Sequence, residues 1–217
     1  MNFPIANSLR KKWQLDMATF QDTVTEILYR TDERIVLHGG TAIWRCFHGN
    51  RFSDDIDAYV GAKTDLEKLK RDMLVAASER SVKVEKIKDT GNLLFMAFSL
   101  GGAYMKVEIN HRKGHLAPIS MGFERVDGTR MEVLTLSPDE LMLEKIAAYS
   151  DRRFIRDIYD IYFLGDYVDR KRVRKAVLDF ISNIEPPVNE KELSGLVYMG
   201  VTPTFKGMVE RIRARFS

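Results

Sequence analysis

Asp55 and Asp57 lie two residues apart in LHGGTAIWRCFHGNRFSDDIDAYV, residues 37–60. On a β-strand successive side chains alternate, so this spacing sends both carboxylates to one side. Two carboxylates held together are costly unless solvated, paired or bound to a cation. Mg²⁺ takes oxygen ligands and commonly shares them with substrate phosphates. Two such ions, about 3.5–4 Å apart, clamp the attacking and leaving oxygens of a displacement. A third acid from a neighbouring strand often completes such a site, and Glu108 is the best-placed candidate. The plainer reading of the aspartate pair is an exposed strand end, which the pair alone does not exclude.

Gly39, Gly40 and Thr41 precede the aspartates, between an expected strand and an expected helix. Backbone N–H groups there, at the positive end of a helix, suit a triphosphate. The Thr41 hydroxyl is a further donor. The competing reading is a tight turn with Thr41 as a helix cap. The glycines gain weight because R-F-S-x-D-I-D follows within about one helix and one turn.

A third stretch, EKIAAYSDRRFIRDIYDIYFL, covers residues 144–164. Lys145 is one of few cations in an apolar helix and is a candidate phosphate contact. Arg153, Asp157 and Asp160 are spaced i, i+4, i+7 and share a helical face. The bland account is a surface ion pair between Arg153 and Asp157, worth under about 1 kcal/mol. The sharper one puts Asp157 or Asp160 near the metal or the acceptor.

These residues need a scaffold. Leu9, Trp13, Met17, Phe20, Val24 and Ile27 predict a helix over 8–30. A short strand over 34–37 precedes the glycines, a helix over 41–47 follows, and a strand over 54–60 carries the aspartates. Residues 64–80 are amphipathic, with Leu66, Leu69, Met73, Val75 and Ala76 on the apolar side. The middle is β-rich: strands over 82–87, 93–100 and 103–110, with Gly101-Gly102 as a hairpin signal, and another over 130–134. Ser137-Pro138-Asp139-Glu140 is a helix start, followed by helices to about 149, over 154–163, over 168–182 and around 205–216. EPPVNE, 185–190, reads as a loop. This order implies an α+β core, residues 1–135, with a helical C-terminal part, 136–217, that completes the active site.

Composition narrows the class. The 217 residues are 45% hydrophobic and 30% charged, ordinary for a folded soluble protein. The single cysteine, Cys46, rules out an internal disulfide framework and a cysteine-based zinc site, and a core position suits it. The N-terminal stretch lacks an apolar signal core, and the longest apolar run, 93–98, is too short to span a bilayer; a cytoplasmic protein without membrane contact is expected. Net charge is +3. Basic clusters at 170–175, 211–215 and Arg152, Arg153 and Arg156 are RNA-facing candidates or solvated helix faces. His38 reads as a strand-end histidine, and His48, His111 and His115 lack ligand spacing. Trp44 and Tyr59 are candidate base-stacking residues, with packing the better account of Trp44.

HGGTAIWR, then RFSDDID, then Lys145 followed by RDIYD, in that order over roughly residues 30–165, resemble the AbiEii-type nucleotidyltransferase family. These are the toxins of type IV AbiE toxin–antitoxin systems, with the mycobacterial MenT toxins as relatives. The resemblance implies a DNA polymerase β-like nucleotidyltransferase core with a mixed or antiparallel sheet. It implies Mg²⁺-dependent (or Mn²⁺-dependent) transfer of a nucleoside monophosphate from an NTP, with pyrophosphate released, to an acceptor such as the tRNA 3′ end. A winged-helix antitoxin is the implied partner. Gly39, Gly40 and Thr41 match the phosphate-binding turn; Asp55 and Asp57 match the metal carboxylates, to which the strand argument adds Glu108. Arg51 and Ser53 flank them in the motif and join nucleotide binding. Lys145 matches the lysine that contacts nucleotide, and Asp157 and Asp160 match the RDxxD aspartates, counted with the catalytic set. The last roughly 50 residues match no motif. Other readings are a small-molecule acceptor such as an aminoglycoside, a protein acceptor, a non-catalytic relative that binds antitoxin or RNA, and a D-x-D glycosyltransferase, which the GGT turn and the RDIYD helix fit poorly.

Overall fold

A computed structural model describes residues 4–9, 11–112 and 117–217, so His115 lies outside the described residues. The chain divides into two compact units: residues 1–48 with 53–135, and residues 49–52 with 136–217.

The N-terminal unit carries α1 (Lys12–Thr31), β1 (Val36–His38), α2 (Gly39–Cys46), β2 (Ile56–Val60), α3 (Leu66–Glu79), β3 (Lys83–Asp89), β4 (Leu93–Leu100), β5 (Ala103–His111), β6 (Ile119–Glu124) and β7 (Arg130–Thr135). Its strands form one seven-stranded sheet in the order β3-β4-β5-β2-β1-β7-β6. The sheet is mixed: β2–β5 and β1–β7 are parallel and the other pairs antiparallel. Alternation sets its faces. On β2, Ile56, Ala58 and Val60 are buried while Asp57 and Tyr59 are half-buried. Met96, Phe98, Met105, Val107 and Ile109 carry the same buried layer across β4 and β5. α1 packs on β5 and on α3.

Several boundaries differ from the sequence expectation. α1 starts at Lys12 because Ile5–Asn7 forms a 3₁₀ turn before it. The glycines belong to α2 rather than preceding it. β2 begins only at Ile56, where pairing with β5 begins, so Asp55 stands in the lead-in. Val75 on α3 is exposed instead of buried. β6, ISMGFE, does not read as a strand in the sequence because its serine and glycine break the apolar alternation; full pairing with β7 makes it one.

The C-terminal unit consists of α4 (Pro138–Arg152), α5 (Ile155–Leu164), α6 (Arg170–Ser182), the short α7 (Leu193–Leu196) and α8 (Phe205–Phe216). Ser137 and Glu140 form the expected capping box on α4. Arg153 ends α4 in the left-handed region, at φ +52°. The segment 49–52 joins this unit through Phe52 N–H to the Leu196 carbonyl (2.9 Å) and Tyr198 N–H to the Asn50 carbonyl (3.1 Å). Among the described residues no helix is long and apolar enough to cross a membrane.

Candidate active site

In the N-terminal unit, antiparallel pairing sets His38 opposite Asp57. The chain then turns directly into α2, with Gly39 at φ +71°. The first amides of a helix have no intrahelical partner, so the α2 N-terminus offers donors and a positive dipole end beside the Asp57 carboxylate. That closeness is measured by Gly39: a Cβ built there would fall on Oδ2 of Asp57 and lie 3.1 Å from its Cγ. Gly39 therefore supplies both a backbone conformation and an absence of side chain.

Thr41 takes a different part from the one expected. It is buried, its hydroxyl donates to the Asp55 carbonyl, and it accepts from Gln21 Nε2 at 3.1 Å. Gln21 also donates to the Ser53 carbonyl at 3.2 Å. The hydroxyl is thus spent on holding the lead-in to β2. Gln21 was not foreseen: on α1 it reads as one more polar helix residue, and only the fold brings it to the aspartate segment.

Asp55 is partly exposed, with Lys106 Nζ 4.0 Å from Oδ2. Parallel register sets Glu108 beside Asp57 on the next strand, and both are half-buried. Among the described residues, no three His, Cys, Asp or Glu side chains are assembled tightly enough to hold a metal ion by themselves. Two carboxylates still fit Mg²⁺, which usually keeps waters and substrate phosphates in its shell. The juxtaposition with a phosphate-attracting helix end fits it too, because an anion drawn there next to carboxylates requires an intervening cation. Tyr59 is not an open stacking platform: its ring stacks on His38 at 3.8 Å, and Arg112 lies 4.9 Å from its centroid. Trp44 and Cys46 are core residues, and burial pushes the Cys46 thiol up to about 12.

In the C-terminal unit, Arg51, Lys145, Arg152, Asp157 and Asp160 form one buried ionic network. Arg51 grips Asp160 with two hydrogen bonds of 2.5 and 2.6 Å and donates to the Phe52 carbonyl at 3.1 Å. Lys145 Nζ lies 2.9 Å from Asp160 and 3.3 Å from Asp157. Arg152 makes two bonds to Asp157, of 2.7 and 2.9 Å. Asp157 and Asp160 are 0% and 1% exposed. Burial alone would raise Asp157, but the Arg152 hydrogen bond and the charges of Lys145, Arg152 and Arg51 hold it below the ordinary carboxylate range. Burial pulls the Arg51 guanidinium down, and Asp160 outweighs it and raises it.

Three expectations meet this geometry. The partner of Asp157 is Arg152, while Arg153 pairs with Glu185. Arg51 is committed to Asp160 and to the Phe52 carbonyl. Asp157 and Asp160 are enclosed and ion-paired, the opposite of what a proton acceptor needs. The basic clusters are also largely engaged: Arg174 binds the Phe216 carbonyl (2.8 Å), Arg211 the Tyr162 hydroxyl (3.2 Å), and Arg215 Asp166 (2.9 Å).

Residues 26–213 match the family described as nucleotidyl transferase AbiEii toxin, type IV toxin–antitoxin system. No curated protein sequence matches the chain. Among solved structures, the fold is similar to MenT4, a nucleotidyltransferase toxin from Mycobacterium tuberculosis H37Rv, at TM-score 0.66 and 20% identity over 98% of this chain and 86% of that one. JHP933 from Helicobacter pylori is similar at TM-score 0.64 and 16% identity over 96% and 92% of the two chains. The antibiotic-resistance factor ANT(2'')-Ia is similar at TM-score 0.50 and 14% identity over 77% and 92%.

Proposed function

This chain belongs to the AbiEii nucleotidyl transferase toxin family of type IV toxin–antitoxin systems, and we propose that it moves a nucleoside monophosphate from an NTP to an RNA acceptor, the tRNA 3′ end, with Mg²⁺. Mn²⁺ is the natural substitute in the same oxygen site. The observation that carries this reading is the α2 N-terminus packed against the Asp57 carboxylate through Gly39. A carboxylate pair beside a helix N-terminus suits a triphosphate that arrives with its metal.

In this mechanism Asp55 and Asp57 hold the metal, and the Gly39, Gly40 and Thr41 amides receive phosphate oxygens. Held by these carboxylates, the metal would supply charge neutralisation on the triphosphate and activation of the attacking hydroxyl. The acceptor oxygen forms a bond to the α-phosphorus, the bond from that phosphorus to the bridging oxygen breaks, and pyrophosphate leaves. Glu108, in register with Asp57 and half-exposed, takes the hydroxyl proton. Lys145 serves the nucleotide phosphates as a cation. Asp157 and Asp160, themselves held by Arg152 and Arg51, act as positioning residues that keep Lys145 in place. A winged-helix antitoxin is the partner on this reading.

The test is incubation of the purified chain with total tRNA, Mg²⁺ and each α-labelled NTP separately, beside an Asp55→Ala/Asp57→Ala control. Label in tRNA with the wild type alone supports the reading and names the nucleotide. Equal labelling by the control would reject the assigned carboxylates. Label on a protein or an aminoglycoside instead of RNA would replace the acceptor.

A further inference from the structure

One side of β3, β4 and β5 faces away from the buried layer of Met96, Phe98, Met105 and Val107. Register sets its rows. Lys88 pairs with Phe95, Phe95 with Glu108, and Glu108 with Asp57. The next row runs Lys86, Ala97, Lys106, and Lys106 reaches Asp55 at 4.0 Å. Lys86, Lys88, Lys106 and Tyr104 are exposed, and Phe95 is half-buried. Lys86 Nζ stands 5.8 Å from the centroid of the Phe95 ring. Among the described residues, neither Lys86 nor Lys88 has a carboxylate partner, whereas Lys83 is neutralised by Glu85 at 2.9 Å.

Lysines on an edge strand are common simply because they discourage pairing with other chains, and β3 is an edge. That account does not reach Lys106, which lies on an interior strand, nor the aromatic rings left accessible between the lysines. Cations spaced over aromatic faces are what a flexible nucleic-acid strand requires: phosphates on the amines, bases on the rings. The rows also end at the assigned carboxylates. From β3 to β2 is three strand spacings, about 14 Å, a span of a few nucleotides.

We propose that this face of β3, β4 and β5 holds the single-stranded end of the RNA acceptor, with backbone phosphates on Lys86, Lys88 and Lys106 and a base on Phe95, and leads its terminal hydroxyl to Asp55 and Asp57. The inference rests on the RNA-acceptor reading above and adds where that acceptor is gripped.

The experiment is fluorescence anisotropy of a short fluorescein-labelled oligouridylate with the full chain, titrated over salt. Lys86→Ala/Lys88→Ala removes two phosphate contacts, so the salt slope falls by about 1.4 and affinity at about 0.1 M salt drops roughly 25-fold. Phe95→Leu weakens binding roughly tenfold and leaves the slope unchanged. Lys171→Ala/Lys175→Ala, on the solvent side of α6, is the control and binds as wild type. Circular dichroism melting checks that each variant is folded. Wild-type affinity and slope in Lys86→Ala/Lys88→Ala, or an equal loss in the α6 control, overturns the assignment. If RNA labelling persists in that case, only the face is rejected. If the wild type neither binds nor labels RNA, the acceptor reading falls and the face falls with it.

Discussion

Gly39 makes room for the carboxylate of Asp57. The backbone of Gly39 is in the left-handed region at φ +71°, and the space a Cβ would need is taken by the Asp57 carboxylate. Gly39→Ala therefore meets two obstacles at once. The backbone strain costs about 1–3 kcal/mol, and the carboxylate is pushed off its position. The expected outcome is a folded variant with a modestly lowered melting temperature and nucleotidyl transfer reduced by a hundredfold or more (~3 kcal/mol of barrier). Transfer at wild-type rate in Gly39→Ala would mean that the position of Asp57 is not critical.

Thr41 ties α2 to the lead-in of β2 by donating to the Asp55 carbonyl, and Gln21 secures that hydroxyl and the Ser53 carbonyl. Thr41→Val keeps the shape and leaves buried polar partners unsatisfied, at about 1–3 kcal/mol. Thr41→Ser keeps the hydroxyl and should retain most stability and activity. Urea denaturation of the two variants side by side separates the hydroxyl from the methyl. Equal loss in both would show that packing, not the hydrogen bond, holds the segment.

The Arg51–Asp160 pair is buried and bidentate. Removing one partner strands the other charge, which costs about 3–5 kcal/mol. Asp160→Asn should therefore lower stability sharply, and Arg51→Met/Asp160→Leu should recover part of it. Activity separates the two roles: the double variant regains stability without regaining transfer, because Lys145 has still lost its 2.9 Å partner. Recovery of transfer together with stability would show that the network serves folding alone.

Asp157 titrates below the ordinary carboxylate range in the folded chain, as burial is outweighed by Arg152, Lys145 and Arg51. A depressed folded pKa means that the unfolded chain binds the proton first. The stability from this network is complete above the unfolded aspartate value, about 4. It is lost as pH falls from there through the lower folded value. Asp157→Asn should be less stable than the wild type at neutral pH, with the gap narrowing in acid. A gap independent of pH would remove charge pairing as the cause.

The chain order alone determined much of this protein. Paired aspartates, the glycines before them and the lysine before RDIYD are local features, and local features survive in sequence because spacing along one strand or helix sets which side chains share a face. The alternation in 56–60 and 93–110 and the Ser-Pro-Asp-Glu start of α4 were legible for the same reason. Tertiary structure decided what spacing cannot express. Gln21 reaches Ser53 across 32 residues and Arg51 reaches Asp160 across 109. Whether a charged side chain ends in solvent or in a buried network depends on which distant segment packs on it. So Asp157 and Asp160 look in sequence like accessible catalytic acids and in the fold are enclosed counter-ions. Lys86, Lys88 and Lys106 look like scattered surface charge, and only strand register lines them up with Phe95 and the carboxylates.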